Sequence, residues 1–343
     1  MRAACLGAMM VATIGGFGSD KVGEGSRWQH YARKTDEWYG SDRGRRVAEN
    51  VLSHQSPQGS WPSNIDTRAQ PYRDNVKNLR GTFDNGATVG EMRFLARAYN
   101  ATHDHRQRAA FLKGLDHILE AQYPTGGWPQ QYPLDNGCSR HITFSNGVMV
   151  NLLRLLLDVS DSQAYEFVDL PRRQKADQAF HLGIGCILKC QIVVRGDLTA
   201  WCVRHDEVTL KPREGGSHEH ASISGCDSAG ILRLLMSLER PCPEVVRAVN
   251  AACHWYERVK VTGVRLDLRD GETVLVADRD APPLWARFYE IGANRPIFSG
   301  RDGVVKHNIA DIDADCRNGY AWYGNWGASV LAEWPHWKAR NGL

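Results

Sequence analysis

The 343 residues, 42% hydrophobic and 24% charged, are enough for one large core or two modest ones and have the make-up of an ordinary globular protein. A net charge of +3 with no dense run of Lys and Arg excludes a nucleic-acid-binding stripe and leaves only a mild bias toward an acidic ligand. Nine cysteines, an odd number, exclude a complete disulfide framework and read mostly as small core residues. Beyond the N-terminus no stretch approaches the roughly 18 apolar residues of a membrane span.

Within the leader, residues 1–25, the opening 1–14 has one basic residue and a short apolar run, with small residues after it, the pattern of a weak secretory signal or a disordered leader. A secreted or periplasmic protein is therefore expected, with residues 26–343 as a single domain. A preliminary helix is predicted over 26–39. The next, over 45–55, puts Val47, Val51 and Leu52 on one face. A loop with Trp61 follows, then a helix from about Asn85, with Asp84 where an N-cap would stand.

The order then returns: a helix over 108–122 with Phe111, Leu115, Ile118 and Leu119 in register, a loop with Trp128, and a helix over 146–159. Both loops begin Gln-x3-Gly-x-Trp, at Gln55 and at Gln122. Trp61 and Trp128 stand 67 residues apart, and the pairs Asn85/Asn146 and Arg93/Arg154 stand 61 apart. A looser third copy has a helix over 175–191, a loop with Trp201 and a short strand, and a helix over 227–238. A fourth helix over 243–259, a hairpin over 263–277, a polar aromatic stretch over 284–303 and a last short helix after Trp326 complete the chain.

Tandem helix hairpins cannot each bury a face alone, so neighbours must stack. With the long loops always at one end, the expected fold is mainly α, an (α/α)3 barrel or incomplete toroid of paired helices, with a few short strands in the loops that line a groove.

The loop end gathers Asp84, Trp128, Gln130, Arg140, His141, Asn146, His205, Asp206, Arg213, His218, Glu219, Arg287, Arg301 and Asp302. Carboxylate and amide oxygens suit a hard cation such as Ca²⁺, guanidiniums suit carboxylates, and Trp and Tyr faces suit sugar rings. Together they describe a groove for an acidic polysaccharide. Blander roles compete: Asp84 as a helix cap, Trp61 and Trp128 as core, His141 as a buried satisfied histidine, Glu207 and Arg213 as solvated loop charges. The histidines 205, 218 and 220 with Cys202 match no zinc spacing.

Residues 122–130, 140–144, 82–88, 201–206, 222–225 and 295–303 resemble, in order and spacing, the pectate lyases of polysaccharide lyase family 10. The likeness runs from about Trp28 to Trp326 and implies an (α/α)3 toroid, a polygalacturonate or pectin substrate, a Ca²⁺ cofactor and β-elimination with an arginine as base. A monomer is expected. Residue by residue it makes Asp84 the groove aspartate and Arg301 an active-centre arginine. Two positions depart. The family's second calcium aspartate falls on Asn146, which keeps an oxygen ligand and loses the charge. The family's base arginine falls on Gly216, leaving Arg213, three residues earlier, and His218 as substitutes.

Three alternatives stand beside a lyase. A pectin-binding relative without turnover follows from Gly216 and Asn146. An inverting hydrolase would pair Asp84 with Asp206 or Glu219. The Gln-x3-Gly-x-Trp spacing also resembles terpenoid cyclases, whose acidic cluster would have to be the segment 311–315, where the spacing is wrong.

Overall fold

The structure is a computed structural model that describes residues 24–216, 218–269 and 271–343. The expected leader lies almost wholly outside them. Eleven helices are formed by the described residues: α1 (Glu24–Ala32), α2 (Asp36–Gly40), α3 (Asp42–Ser53), α4 (Val89–Thr102), α5 (His105–Glu120), α6 (Val148–Asp161), α7 (Leu170–Cys190), α8 (Asp227–Met236), α9 (Pro243–Val259), α10 (Ala314–Gly319) and α11 (Trp326–Arg340). None is long and apolar enough to cross a membrane.

The helices pack in two layers. Along one layer α4 touches α6 and α6 touches α8; along the other α3, α5, α7 and α9 follow in turn, and each hairpin bridges the layers. The inner row is apolar nearly all round: α6 buries Val148, Met149, Val150, Leu152, Leu153, Leu155, Leu156 and Val159. Local chemistry sets the outer starts. Asp104 caps α5 and Asp169 caps α7 through their side chains, and Pro243 opens α9, where its missing N–H costs nothing.

The Gln-x3-Gly-x-Trp repeat is the glue between hairpins. Gln55 Nε2 donates to Gly59 O at 2.9 Å and Ala110 O at 2.8 Å, stitching its own loop to the next outer helix. Gln122 repeats this with Gly126 and Ala179, and Gln191 with Thr199 and Ala248. The indoles of Trp61, Trp128 and Trp201 donate to Val51 O, Ile118 O and Ile187 O of the preceding helix. All three are fully buried, so each tryptophan closes its repeat with apolar area and a satisfied N–H.

Several boundaries differ from expectation. The preliminary helix breaks into α1 and α2, whose Trp28, Tyr31, Trp38 and Tyr39 surround Phe94. Inner helix α4 begins at Val89, and Asp84 caps nothing. Residues Asp84–Gly86 form a separate turn with Asn85 at φ +53°, and Ser145–Gly147 before α6 is its counterpart, with Asn146 at φ +53°. Asparagine tolerates this left-handed backbone better than most side chains. The final helix is long, with 15 residues. The eight described cysteines are free, and four are buried. The strands are short apart from the hairpin Val264–Arg269 with Glu272–Ala277. At the loop end, Arg204–His205 pairs with Ile142–Thr143 on one side and Pro212–Arg213 on the other.

Candidate active site

The N-terminal ends of α4, α6 and α8 open onto the loop end, where their partial positive charges favour an anionic chain. The two left-handed turns bring Asp84 and Asn146 together: Asn146 Nδ2 donates to Asp84 Oδ1 at 2.9 Å. Gln130 Nε2 and Asn85 Nδ2 donate to Asp84 Oδ2 at 2.9 and 3.2 Å. The backbone N–H of Asn146 donates to Asp227 Oδ1 at 3.0 Å, placing a second carboxylate beside the first turn of α8. This is an oxygen-rich set with two carboxylates and the exposed amides of Asn85 and Asn146, which can turn an oxygen outward, and it fits a hard divalent cation.

Arg287 faces Glu219 and Asp227 electrostatically, is anchored by its Nε to Ala321 O at 2.7 Å, and lies over the ring of Tyr320 at 4.6 Å. Burial pushes the Glu219 and Asp227 carboxyls up, while Arg204 beside the first and Arg287 beside the second oppose it. Glu219 also accepts from Tyr320 OH at 3.4 Å.

A second group lies along the strand pair Arg204–His205 and Pro212–Arg213. Arg213 is ion-paired with Asp206 at 2.8 Å. The other Asp206 oxygen accepts from Val208 N, Thr209 N and Thr209 Oγ1. Those backbone bonds and Arg213 hold its carboxyl far below the usual range. Arg140 pairs with Glu207 at 2.9 Å, and His141 Nδ1 meets Glu207 at 2.8 Å. His141, Asp206 and Glu207 place three possible ligand atoms within 4.8 Å of one another. Two guanidiniums already balance these carboxylates, so the group suits a cation poorly. Arg140, His141, Arg213 and Gly215 line a cleft of ≈ 560 Å³.

Two expected groove residues are elsewhere. Trp128 is fully buried in the core and shows no face to a ligand. His205 is fully buried too: it accepts from Cys202 N at 3.2 Å, meets Leu210 O at 2.8 Å, and burial lowers its pKa to about 4. Arg301 is exposed on a turn, with its guanidinium on Asp315; Asp302 holds Lys306 at 2.7 Å. His218 Nε2 is 3.8 Å from Cys316 Sγ, and its Nδ1 has no hydrogen-bond partner among the described residues. Gly216 is exposed, with open space where a Cβ would stand.

Sequence reasoning missed Arg204, Asp227 and Tyr320, and its reading of Glu207 as a solvated loop charge overlooked the pairing with Arg140 and His141. A signal existed for Asp227: Trp61 N donates to Thr88 Oγ1 and Trp201 N to Ser228 Oγ, both 27 residues on, so this spacing aligns the start of α8 with that of α4. Arg204 has no such signal.

The fold is a helical toroid that gathers carboxylates, amides and guanidiniums at its loop end. Residues 55–331 match the family described as pectic acid lyase, and the chain belongs to that family. Two solved structures are similar to it at 30% identity, each covering 94% of this chain and 98% of the other: the family 10 polysaccharide lyase from Cellvibrio cellulosa, TM-score 0.79, and a point mutant of that lyase in complex with trigalacturonic acid, TM-score 0.80. No curated protein matches the chain.

Proposed function

We propose that this member of the pectic acid lyase family cleaves polygalacturonate by β-elimination, with Ca²⁺ held by Asp84 and Asn146 and with Asp227 beside them. The observation that carries the reading is the 2.9 Å contact between Asp84 and Asn146, which joins two repeats at one oxygen-rich point under the groove. The complex of a similar lyase with trigalacturonic acid supports an acidic polysaccharide as substrate. Export of the protein is part of the same proposal.

In the reaction the proton at C5 of a galacturonate ring is removed, the electron pair forms the C4=C5 bond, and the C4–O bond breaks, the leaving oxygen taking a proton. The C5 proton is alpha to a carboxylate, so its removal gathers negative charge that must be neutralised. Bound at Asp84, Ca²⁺ would supply fixed positive charge to the uronate carboxylate. Arg287, fixed by Ala321 O and the Tyr320 ring, is proposed to supply the other share. His218 is proposed to take the C5 proton, because Arg213 and Arg301 are both committed to carboxylates while the contact of His218 Nε2 with Cys316 is weak.

A second reading, a pectin-binding relative with slow or no turnover, is favoured by one observation: no guanidinium extends from position 216. Product masses test both. Elimination gives an unsaturated fragment lighter by one water than its hydrolytic counterpart. A hydrolytic product would overturn the lyase proposal, and no product with retained binding would select the second reading.

A further inference from the structure

We infer that Arg204 is a positioning residue for the cation-holding side of the groove, acting through Gln130 on Asp84, and that Gly215 gives it room. The inference rests on the proposed cation site at Asp84. Arg204 is 5% exposed, too deep to meet a polysaccharide itself. Its Nη2 donates to Gln130 Oε1 at 2.7 Å, and its Nη1 to Thr143 Oγ1 at 3.1 Å and Cys138 O at 3.2 Å. Its Nε stands 3.6 Å from Glu219 Oε2. A guanidinium only donates, so Gln130 must turn its carbonyl toward Arg204 and its NH₂ toward Asp84 Oδ2, 2.9 Å away. Arg204 therefore sets which way the Gln130 amide points, and with it one of the three amides that orient the Asp84 carboxylate.

The glycine pair at 215–216 has two separate meanings. Position 216 faces open space, whereas a Cβ at 215 would come 2.0 Å from Glu219 Oε2 and 3.0 Å from Arg204 Nε. Any side chain at 215 pushes the Arg204–Glu219 pair out of place. The buried guanidinium and the bare loop backbone form one unit.

The sign of one effect separates positioning from plain charge. Removing a positive charge near a cation site strengthens cation binding by Coulomb attraction alone, whereas losing the orientation of Asp84 weakens it. The experiment is calcium titration by calorimetry on the full chain, wild type against Arg204→Gln, Arg204→Lys and Gly215→Ala. It is paired with the side-chain amide NMR signal of Gln130 in calcium-free protein. Expected is a loss of calcium affinity of about tenfold or more in Arg204→Gln, in the range for a residue that orients a metal ligand, with a smaller loss in Gly215→Ala, which keeps the charge. The Gln130 amide moves to the position of a solvated glutamine. Should Arg204→Gln fail to fold, the same two measurements on Arg204→Lys and Gly215→Ala decide the question. Calcium affinity equal to or tighter than wild type in the folded variants overturns the inference. If wild type itself binds no calcium, the proposed function is contradicted, and the Gln130 signal alone decides: displaced, it supports the positioning role; unmoved, it overturns it.

Discussion

Asp84 Oδ1 accepts from Asn146 Nδ2 at 2.9 Å although 62 residues separate them, because each lies on the left-handed turn before an inner helix. Where one amide faces one carboxylate, Asn146→Asp would set two carboxylates face to face. Calcium affinity should rise about tenfold, since charge count at an oxygen site tunes affinity. In chelator the same variant should melt at a lower temperature than wild type, from like-charge repulsion. An unchanged calcium isotherm would remove Asn146 from the site.

Position 216 is open and its backbone needs no left-handed angle, so Gly216→Arg can be accommodated. The variant should raise kcat on polygalacturonate by on the order of 10²-fold, the scale of a positioned proton-transfer group, with little change in KM. No gain in a folded variant would show that a guanidinium at this position is not what limits turnover.

Trp128 belongs to the core. Trp128→Phe keeps most of its apolar area but orphans the carbonyl of Ile118, which its indole now serves at 2.8 Å. A loss of about 1–3 kcal/mol in unfolding free energy follows, measurable by denaturant melts, while KM of the folded fraction stays at the wild-type value. A raised KM with unchanged stability would return Trp128 to the groove.

These residues show what was legible in the chain before its structure. Period and spacing exposed the repeat, because Gln55, Gln122 and Gln191 each bridge to a backbone carbonyl 55 or 57 residues on, which needs the same helix lengths every time. Spacing does not say which way an indole points, and the tryptophans close the core. The resemblance pointed to Asp84 and Asn146 as oxygen ligands, and the two side chains meet at 2.9 Å. Arg204 was illegible: it sits in a two-residue strand with no periodicity, and its importance comes from Gln130, Glu219 and Gly215, which converge only in space.

Glu91, on the first turn of α4, accepts from Thr67 Oγ1 at 2.8 Å, has no partner for its other oxygen among the described residues, and burial raises its pKa to about 7 from the usual 4.5. Between those values the folded protein holds a proton the unfolded chain has released. The associated stability is complete below 4.5 and is lost as pH rises through 7, by roughly 3 kcal/mol. Glu91→Gln should therefore melt higher than wild type at pH 8 and show a shallower pH dependence between 4.5 and 8. Parallel melting curves for the two proteins across this window would contradict the buried-acid assignment.

The central claim, calcium-assisted β-elimination, is tested most directly by the ultraviolet absorbance of polygalacturonate incubated with the wild-type protein at alkaline pH, with Ca²⁺ and again with a chelator. The C4=C5 bond conjugated to the uronate carboxylate absorbs in the ultraviolet, and a hydrolysis product does not. A steady rise that needs calcium and stops on chelation is the predicted result. A flat trace from folded protein in the presence of calcium would contradict it.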